Sequence, residues 1–171
     1  NRASREQDIE LIILEDSSKM SGVQYSTFYF AKELKKYKKN NFCLLIPKKG
    51  FFSQLCDINS IPFEIYPSMP YISTSLSFFT DRIRVPNPLS WIYNFISIIY
   101  NGSKIKLILN KKPNSIVLSK GLLSHFVASI ACLNSENYLV WHLQDLVSAR
   151  FGGLFQFIFN YIANKSPDII I

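Results

Sequence analysis

An apolar run that breaks into a short polar loop and reopens as a helix occurs near both ends of this chain. Near the start, Ile9–Glu15 leads into the loop DSSKMSG, and a helical pattern with an apolar stripe begins at Gly22. Near the end, Tyr138–Trp141 leads through His142 into a loop that begins LQD. Units of strand, loop and helix build parallel sheets covered by helices. The chain is therefore predicted to be an α/β domain.

The remaining periodicity extends this pattern along the chain. Strands are predicted at six apolar runs: Ile9–Glu15, Phe42–Pro47, Ile61–Tyr66, Ser115–Ser119, Tyr138–His142 and Pro167–Ile171. Helices are predicted over Gly22–Lys39, Gly50–Asn59, Leu89–Asn110, Gly121–Leu133 and Phe151–Asn164. Continuous apolar runs are typical of strands buried on both faces. We predict a Rossmann-like, doubly wound, mostly parallel six-stranded sheet in the order 3-2-1-4-5-6, with helices on both faces.

Local predictions follow for two regions. The segment Pro67–Pro88 is rich in serine, proline and aromatic residues, and we expect it to be irregular with a short helix near Thr74–Phe79. The first helix is expected to turn one stripe to the core, formed by Val23, Thr27, Phe30, Ala31 and Leu34. Because the last residues form an apolar strand, we expect residues 1–171 to be one domain of a longer protein, cut at a domain boundary.

Composition favours a cytoplasmic protein. No apolar segment precedes the first strand, and the longest apolar stretch, Trp91–Tyr100, is shorter than the roughly 20 residues that span a bilayer. Three cysteines lie in apolar surroundings, as expected for reduced core thiols. With two histidines and no pair of ligands at metal spacing, neither a zinc site nor any other metal is expected.

The net charge of +7 is unevenly distributed. One lysine group lies on the first helix and the strand after it, and a second, Lys104–Lys112, follows an aromatic run. The lysines are either a solvated surface or an attraction for anionic lipid or nucleic acid. Likewise Trp91, Phe95 and Ile99 either meet a membrane or form the core face of a covering helix.

Candidate site residues follow the predicted strands. Ser21 and Gly22 open a helix, and backbone N–H groups at a helix start attract phosphate. Ligands of open α/β sheets bind beyond the carboxyl ends of the strands. Further candidates leave the strands at that edge: Glu15, Asp16, Lys120, Gly121, His142, Asp145 and Arg150. His125, within a helix, is interpreted as a polar-face residue.

Common nucleotide and nucleophile motifs are missing. There is no GxGxxG fingerprint, no phosphate-binding GxxxxGK[ST] loop and no GxSxG elbow. No cysteine stands beside a histidine. These absences argue against dinucleotide oxidoreductases, nucleotide hydrolysis by such a loop, and hydrolases with an activated serine or cysteine.

Three segments resemble the retaining family 4 of GT-B glycosyltransferases: EDSSKMSGVQYSTFYFAKELKK, VWHLQDLVSARFG and PDIII. The first is similar to that family's first strand, glycine loop and helix, with Ser21 at the usual first glycine and Gln24 near the common acidic position. The second is similar to its W-H-x-H-D segment, with Gln144 at the second histidine, and the third to the strand before the interdomain linker.

The resemblance implies an N-terminal, acceptor-side domain, whose nucleotide-sugar-binding partner domain lies outside this chain. It implies that the Ser21–Gly22 loop lies near the donor diphosphate, that His142 touches donor sugar hydroxyls, and that Asp145 acts with His142. Glu15, Asp16, Lys120, Gly121 and Arg150 are the expected acceptor-binding set. The resemblance implies no cofactor. It also implies an acceptor that is a glycan or a lipid-linked sugar of polysaccharide biosynthesis, and a protein that is cytoplasmic or peripheral at the inner membrane face. The isolated chain is expected to lack transferase activity.

Two other readings of the residues stay open. One is another nucleotide-dependent Rossmann enzyme, which the missing GxGxxG disfavours. The other is a basic binding module without catalysis, for membrane or nucleic acid. Nucleic-acid binding is disfavoured because the basic residues lie on the first helix whereas most aromatic residues lie in predicted core runs.

Overall fold

The computed structural model describes residues 9–37, 41–78, 83–143 and 154–171. Its strands are β1 (Leu11–Leu14), β2 (Phe42–Ile46), β3 (Phe63–Ile65), β4 (Ser75–Phe78), β5 (Ile83–Pro86), β6 (Ile116–Lys120), β7 (Tyr138–His142) and β8 (Ile169–Ile170). Its helices are α1 (Gly22–Lys36), α2 (Phe51–Ile58), α3 (Pro88–Leu109), α4 (Leu122–Cys132) and α5 (Leu154–Ala163).

One parallel sheet carries the fold. Its six strands lie in the order β3-β2-β1-β6-β7-β8, and every neighbouring pair is parallel. Without the β4–β5 pair, this is the predicted order 3-2-1-4-5-6, which is confirmed. Between β1 and β6 the winding direction reverses, and such a reversal opens a crevice at the carboxyl ends of the strands.

Alternate residues of the strands pack into two separate hydrophobic cores, one on each face of the sheet. Ile12 and Leu14 of β1 pack with residues of α3, α4 and α5, whereas Ile13 packs with residues of α1 and α2. Successive side chains of a strand point to opposite faces, so the two groups of helices cover opposite faces of the sheet. Burial of both faces explains why the strands read as unbroken apolar runs.

The segment between β3 and α3 differs from the prediction. The short helix expected near Thr74–Phe79 is wrong, because β4 and β5 form an antiparallel pair there. The preceding segment is held on α3 by two asparagines. Asn94 and Asn101 each exchange hydrogen bonds with a backbone N–H and C=O, those of Ile72 and Met69 respectively. These amides replace strand partners, so the segment needs no periodic pattern.

The core stripe of α1 also differs from the prediction in part. Thr27 and Ala31 are buried as expected, but Phe28 takes the place of Phe30, which is 40% exposed. Gln24 is buried in the same stripe. A polar residue therefore occupies a core position beside the end of β1, where it meets a charged group.

Helices α3 and α4 approach each other closely at a glycine. A Cβ atom on Gly102 would stand 2.7 Å from Cβ of Ile130, which lies on α4. Gly102 lies within α3, and its missing side chain permits this contact. The opposite face of α3 is exposed: Leu89, Ile92, Phe95, Ile96, Ile99 and Leu107, hereafter the α3 apolar stripe. The core-face interpretation is therefore wrong for Phe95 and Ile99.

Candidate functional site

Three ionisable residues lie in one row across neighbouring strands at the carboxyl edge of the sheet. Leu14 pairs with Ser119, and Lys120 pairs with His142. Glu15 follows Leu14, so Glu15, Lys120 and His142 occupy the next row of β1, β6 and β7. Neighbouring strands lie about 4.8 Å apart, and side chains of one row share a face. That face is the one covered by α1.

Glu15 is fully buried and its carboxylate is held by α1. Gln24 Nε2 donates to Glu15 Oε2 at 2.8 Å, and Thr27 Oγ1 donates to Oε1. Burial raises the pKa of Glu15 to about 7, although the bonds from Thr27 and Gln24 oppose that rise. The Glu15 carbonyl accepts a hydrogen bond from Tyr66 Oη at 3.1 Å. Glu15 therefore changes charge near neutral pH, and its predicted acceptor contact stays a prediction.

Lys120 is a lysine enclosed under α1. It is 2% exposed, and its Nζ donates to Ser26 Oγ at 3.0 Å and lies 6.0 Å from the centre of the Phe30 ring. Burial lowers the pKa of Lys120, and the charge of Glu15 opposes that change. Buried lysines are rare without such partners. The ammonium group places positive charge directly under the first half of α1.

His142 ends β7 at the same edge and is half-buried. Partial burial lowers its pKa, and the charge of Lys120 lowers it further. The imidazole is therefore neutral at pH 7, with one nitrogen as donor and the other as acceptor. The edge position agrees with the prediction, whereas a role in ligand binding stays a prediction.

The loop between β1 and α1 presents Ser21 and Gly22. Both residues are exposed, and no atom of the described residues lies within 4 Å of the point where a Cβ of Gly22 would stand. The Ser21 side chain makes no cap to the helix backbone and donates instead to Gln24 Oε1. The first N–H groups of a helix have no partner within it. The start of α1 is thus open, as an anion site requires.

Two contacts hold this loop from outside. The N–H of Phe52 donates to the Ser18 carbonyl at 3.3 Å, and a Cβ on Gly50 would stand 2.8 Å from that carbonyl oxygen. On the other side, the Asp16 carboxylate lies against Gly121, where a Cβ would be 3.1 Å from Oδ2. Gly121 has φ of +91°, which favours glycine.

The predicted residues are therefore brought together in part. Glu15, Lys120 and His142 form the row, Ser21 and Gly22 open α1 above it, and Asp16 meets Gly121 at the start of α4. Asp145 and Arg150 lie outside the described residues. Gln24, Ser26 and Thr27 complete the cluster, and sequence reasoning missed them as site residues. The signal for Gln24 and Thr27 was the position of two polar residues on the core side of α1, whereas Ser26 is exposed and left no such signal.

His125 corrects another expectation, since it is 2% exposed and lies in the core. Its ring stacks on Trp141 with 4.9 Å between ring centres, and Nδ1 shares a hydrogen bond with Ser119 Oγ at 2.7 Å. Burial lowers the pKa of His125 to about 4, with a smaller effect from the charge of His142. The polar-face interpretation is wrong because the partners of His125 come from β6 and β7.

The chemistry available here is recognition of polar and anionic groups. A basic group, a neutral imidazole and a helix start converge at one edge, and such groups can bind phosphate and sugar hydroxyls. Among the described residues no group of three or more His, Cys, Asp or Glu could hold a metal ion. Within the same ranges no helix is both long and apolar enough to cross a membrane. All three cysteines are free thiols.

Comparison with known proteins supports the fold. No family model matches the sequence, and no curated protein matches it at a significant level. The crystal structure of Anabaena Alr3699/HepE in complex with UDP matches with a TM-score of 0.64 and 16% identity, over 95% of this chain and 37% of that one. The same protein with UDP-glucose matches with a TM-score of 0.56, 16% identity and coverages of 95% and 36%.

Acinetobacter baumannii MurG matches with a TM-score of 0.50 and 12% identity, over 95% of this chain and 40% of MurG. The chain therefore spans well under half the length of these proteins. At these identities the likeness shows the fold alone, a Rossmann-like α/β fold with a six-stranded parallel sheet.

Proposed function

We propose that this chain is the acceptor-side domain of a glycosyltransferase that moves a sugar from a nucleotide sugar to a glycan or lipid-linked acceptor. The observation that carries the proposal is the row Glu15, Lys120 and His142 beneath the open start of α1. It lies at the strand reversal of a fold shared with HepE, whose structures contain UDP and UDP-glucose. HepE and MurG are glycosyltransferases.

The proposed roles follow from charge and position. The start of α1 at Ser21 and Gly22 stabilises the negative charge that develops on a leaving diphosphate. Lys120 was expected among the acceptor-binding residues, but its Nζ lies under α1, so we assign it to the same negative charge. The neutral imidazole of His142 exchanges hydrogen bonds with a donor sugar hydroxyl, and Asp145 orients it. Asp16, Gly121 and Arg150 face the acceptor with Glu15 behind them. Retention of the anomeric configuration rests on the resemblance to family 4.

A second domain is part of this proposal. It binds the nucleotide of the donor, so the 171 residues alone are expected to transfer no sugar. No cofactor is assigned, and the leaving diphosphate is neutralised by the groups named above. The site of action is the cytoplasmic side of a membrane, where lipid-linked acceptors are presented.

The test uses the protein with the residues that follow Ile171 in its gene, assayed with a panel of nucleotide sugars and a lipid extract. His142→Ala should lower turnover at least tenfold and shift the melting temperature by less than about 2 °C, because the side chain is only partly buried, at the end of its strand. The anomeric configuration of the product, read by NMR, tests retention.

Tyr138→Ala is the matched control, since Tyr138 is exposed at the other end of the same strand. It should leave turnover within about twofold of the original protein. The proposal is wrong if no nucleotide sugar is consumed, or if His142→Ala and Tyr138→Ala behave alike.

The α3 apolar stripe supports a further proposal, that the domain docks on an anionic bilayer. Its side chains stay exposed although the domain has two well-filled cores. Lys104 lies at one end of the stripe, 5.2 Å from the ring centre of Tyr100. Apolar residues beside a lysine suit the interface of a membrane with anionic headgroups.

A further inference from the structure

A continuous hydrogen-bonded relay runs from the buried end of β1 to the exposed start of α1. Ser21 Oγ donates to Gln24 Oε1, Gln24 Nε2 donates to Glu15 Oε2, and Thr27 Oγ1 donates to Glu15 Oε1. Glu15 is inaccessible to solvent, whereas Ser21 is exposed. Among the side chains that bond to the carboxylate, Gln24 therefore links Glu15 to the exposed hydroxyl of Ser21.

The directions of these bonds depend on the charge of Glu15. An ionised carboxylate only accepts, so the amide of Gln24 turns its NH₂ group inward and its oxygen outward to Ser21. A protonated Oε2 carries a donor, which cannot face an NH₂ group. With the proton on Oε2, Gln24 turns its amide over, so that its oxygen accepts from Glu15 and its NH₂ group donates to Ser21 Oγ.

We propose that Glu15 is a positioning residue that sets the orientation of the Gln24 amide and thereby decides whether the Ser21 hydroxyl hydrogen points inward or is available to a ligand at the start of α1. In the ionised state Ser21 donates to Gln24. In the protonated state Ser21 accepts from Gln24, and its hydrogen is free for an anionic oxygen. The proton on Glu15 comes from solvent, and no covalent bond of the protein changes.

Other ionisable groups face Glu15 and must be distinguished from it. Asp16 follows it on the same strand, Lys120 stands beside it on β6, and Tyr66 bonds to its carbonyl. Cys56 of α2 and, one strand beyond Lys120, His142 complete the surroundings. The pKa of Glu15, about 7, is consistent with a change of state in the neutral range. The orientation of the Gln24 amide depends only on residues of this chain. The use of that orientation by a diphosphate rests on the proposed function.

The experiment is an NMR titration of the isotope-labelled chain between about pH 5 and pH 9. The carboxyl carbon of Glu15, the side-chain amide of Gln24 and the backbone amide of Ser21 should shift with one common midpoint near pH 7. Glu15→Gln replaces the protonated Oε2 of Glu15 with an NH₂ group, which is a permanent hydrogen-bond donor. Its Gln24 and Ser21 signals should stay at the low-pH positions of the original chain throughout.

Thr27→Val is the second variant, because Thr27 could otherwise accept the proton of Glu15 in place of Gln24. Loss of its bond should raise the midpoint and leave the response of Gln24 intact. Glu33→Gln, at an exposed carboxylate of the same helix, is the control and should change neither midpoint nor amplitude.

The inference is overturned if Glu15 titrates while Gln24 stays still, or if Gln24 and Ser21 titrate unchanged in Glu15→Gln. These readouts need no sugar donor. A chain that fails the titration can still belong to a transferase, and a chain without transferase activity can still pass it.

Discussion

Glu15 and His125 are buried residues whose pKa values both move towards the neutral form. Burial raises the pKa of Glu15 from 4.5 to about 7 and lowers that of His125 from 6.5 to about 4. Between about pH 4.5 and pH 7 the folded chain keeps a proton on Glu15 that the unfolded chain has lost, so this contribution to stability falls as pH rises. Between about pH 4 and pH 6.5 the unfolded chain keeps a proton on His125, so that contribution rises with pH.

The two contributions should nearly cancel between about pH 4.5 and pH 6.5. Each shift corresponds to about 3 kcal/mol over its full range. The lowered pKa of His142 adds a smaller rise with pH. Compared with the original chain, the free energy of unfolding by urea should therefore rise more steeply with pH in Glu15→Gln and less steeply in His125→Gln. Parallel curves for all three proteins would contradict the assigned pKa values.

At the scale of elements, the close contact of α3 with α4 depends on Gly102. Alanine is the better helix former by about 1 kcal/mol, but its Cβ would meet Ile130 at 2.7 Å. Gly102→Ala should therefore lower the free energy of unfolding by about 1–3 kcal/mol. Gly22→Ala, where the Cβ meets nothing within 4 Å, should change it by less than about 0.5 kcal/mol.

Coupling to Ile130 separates this contact from a general effect of the substitution. In a double-mutant cycle, Gly102→Ala with Ile130→Gly should cost clearly less than the sum of the two single changes, because Ile130→Gly removes both atoms, Cβ and Cγ2, that stand 2.7 Å from the added Cβ. Additive costs would show that the contact between Gly102 and Ile130 does not limit the packing.

The order of the elements was predictable because each parallel strand carries its own signal. Runs such as FCLLI and LIIL are apolar throughout, since both faces of the sheet are covered. The β4–β5 pair was missed because it lies outside this sheet and the segment before it is held by asparagine side chains. Phe28, and not Phe30, is buried on α1. Because aromatic residues stand close together at positions 28 to 30, helical periodicity alone does not show which of them faces the core.

The candidate site was predictable only as far as strand ends mark it. Glu15, Lys120 and His142 each follow an apolar run, and topology then brings them into one row. Their environments depend on contacts across the chain, such as Lys120 with Ser26 and His125 with Trp141. Such contacts leave no periodic trace, so the burial of His125 and Lys120 could not be read from spacing.

At the scale of the whole molecule, the two surfaces that could meet a membrane lie on opposite sides. The basic helix α1 packs against one face of the sheet, and α3 packs against the other. One flat bilayer cannot contact both. The exposed apolar residues belong to α3, so docking is expected through that face and not through the lysines of α1.

Vesicle co-sedimentation tests this orientation. Binding to vesicles that contain phosphatidylglycerol should weaken with salt and fall severalfold in Phe95→Ser with Ile96→Ser, because both side chains are exposed and leave the core intact. Lys104→Gln should reduce binding further by about 1 kcal/mol. Lys35→Gln with Lys36→Gln, on α1, is the control and should bind normally. Loss of binding in that control alone would assign docking to α1.

The loop after β1 is supported from two sides before any ligand arrives. The start of α2 donates a hydrogen bond to Ser18, and Asp16 lies against Gly121 at the start of α4. For the proposed anion site, a loop shaped in advance requires little ordering, so association would be governed by diffusion, orientation and charge. Ligands that share an anionic group but differ in the attached sugar should therefore arrive at similar rates. The site would then discriminate among these ligands through their dissociation rates.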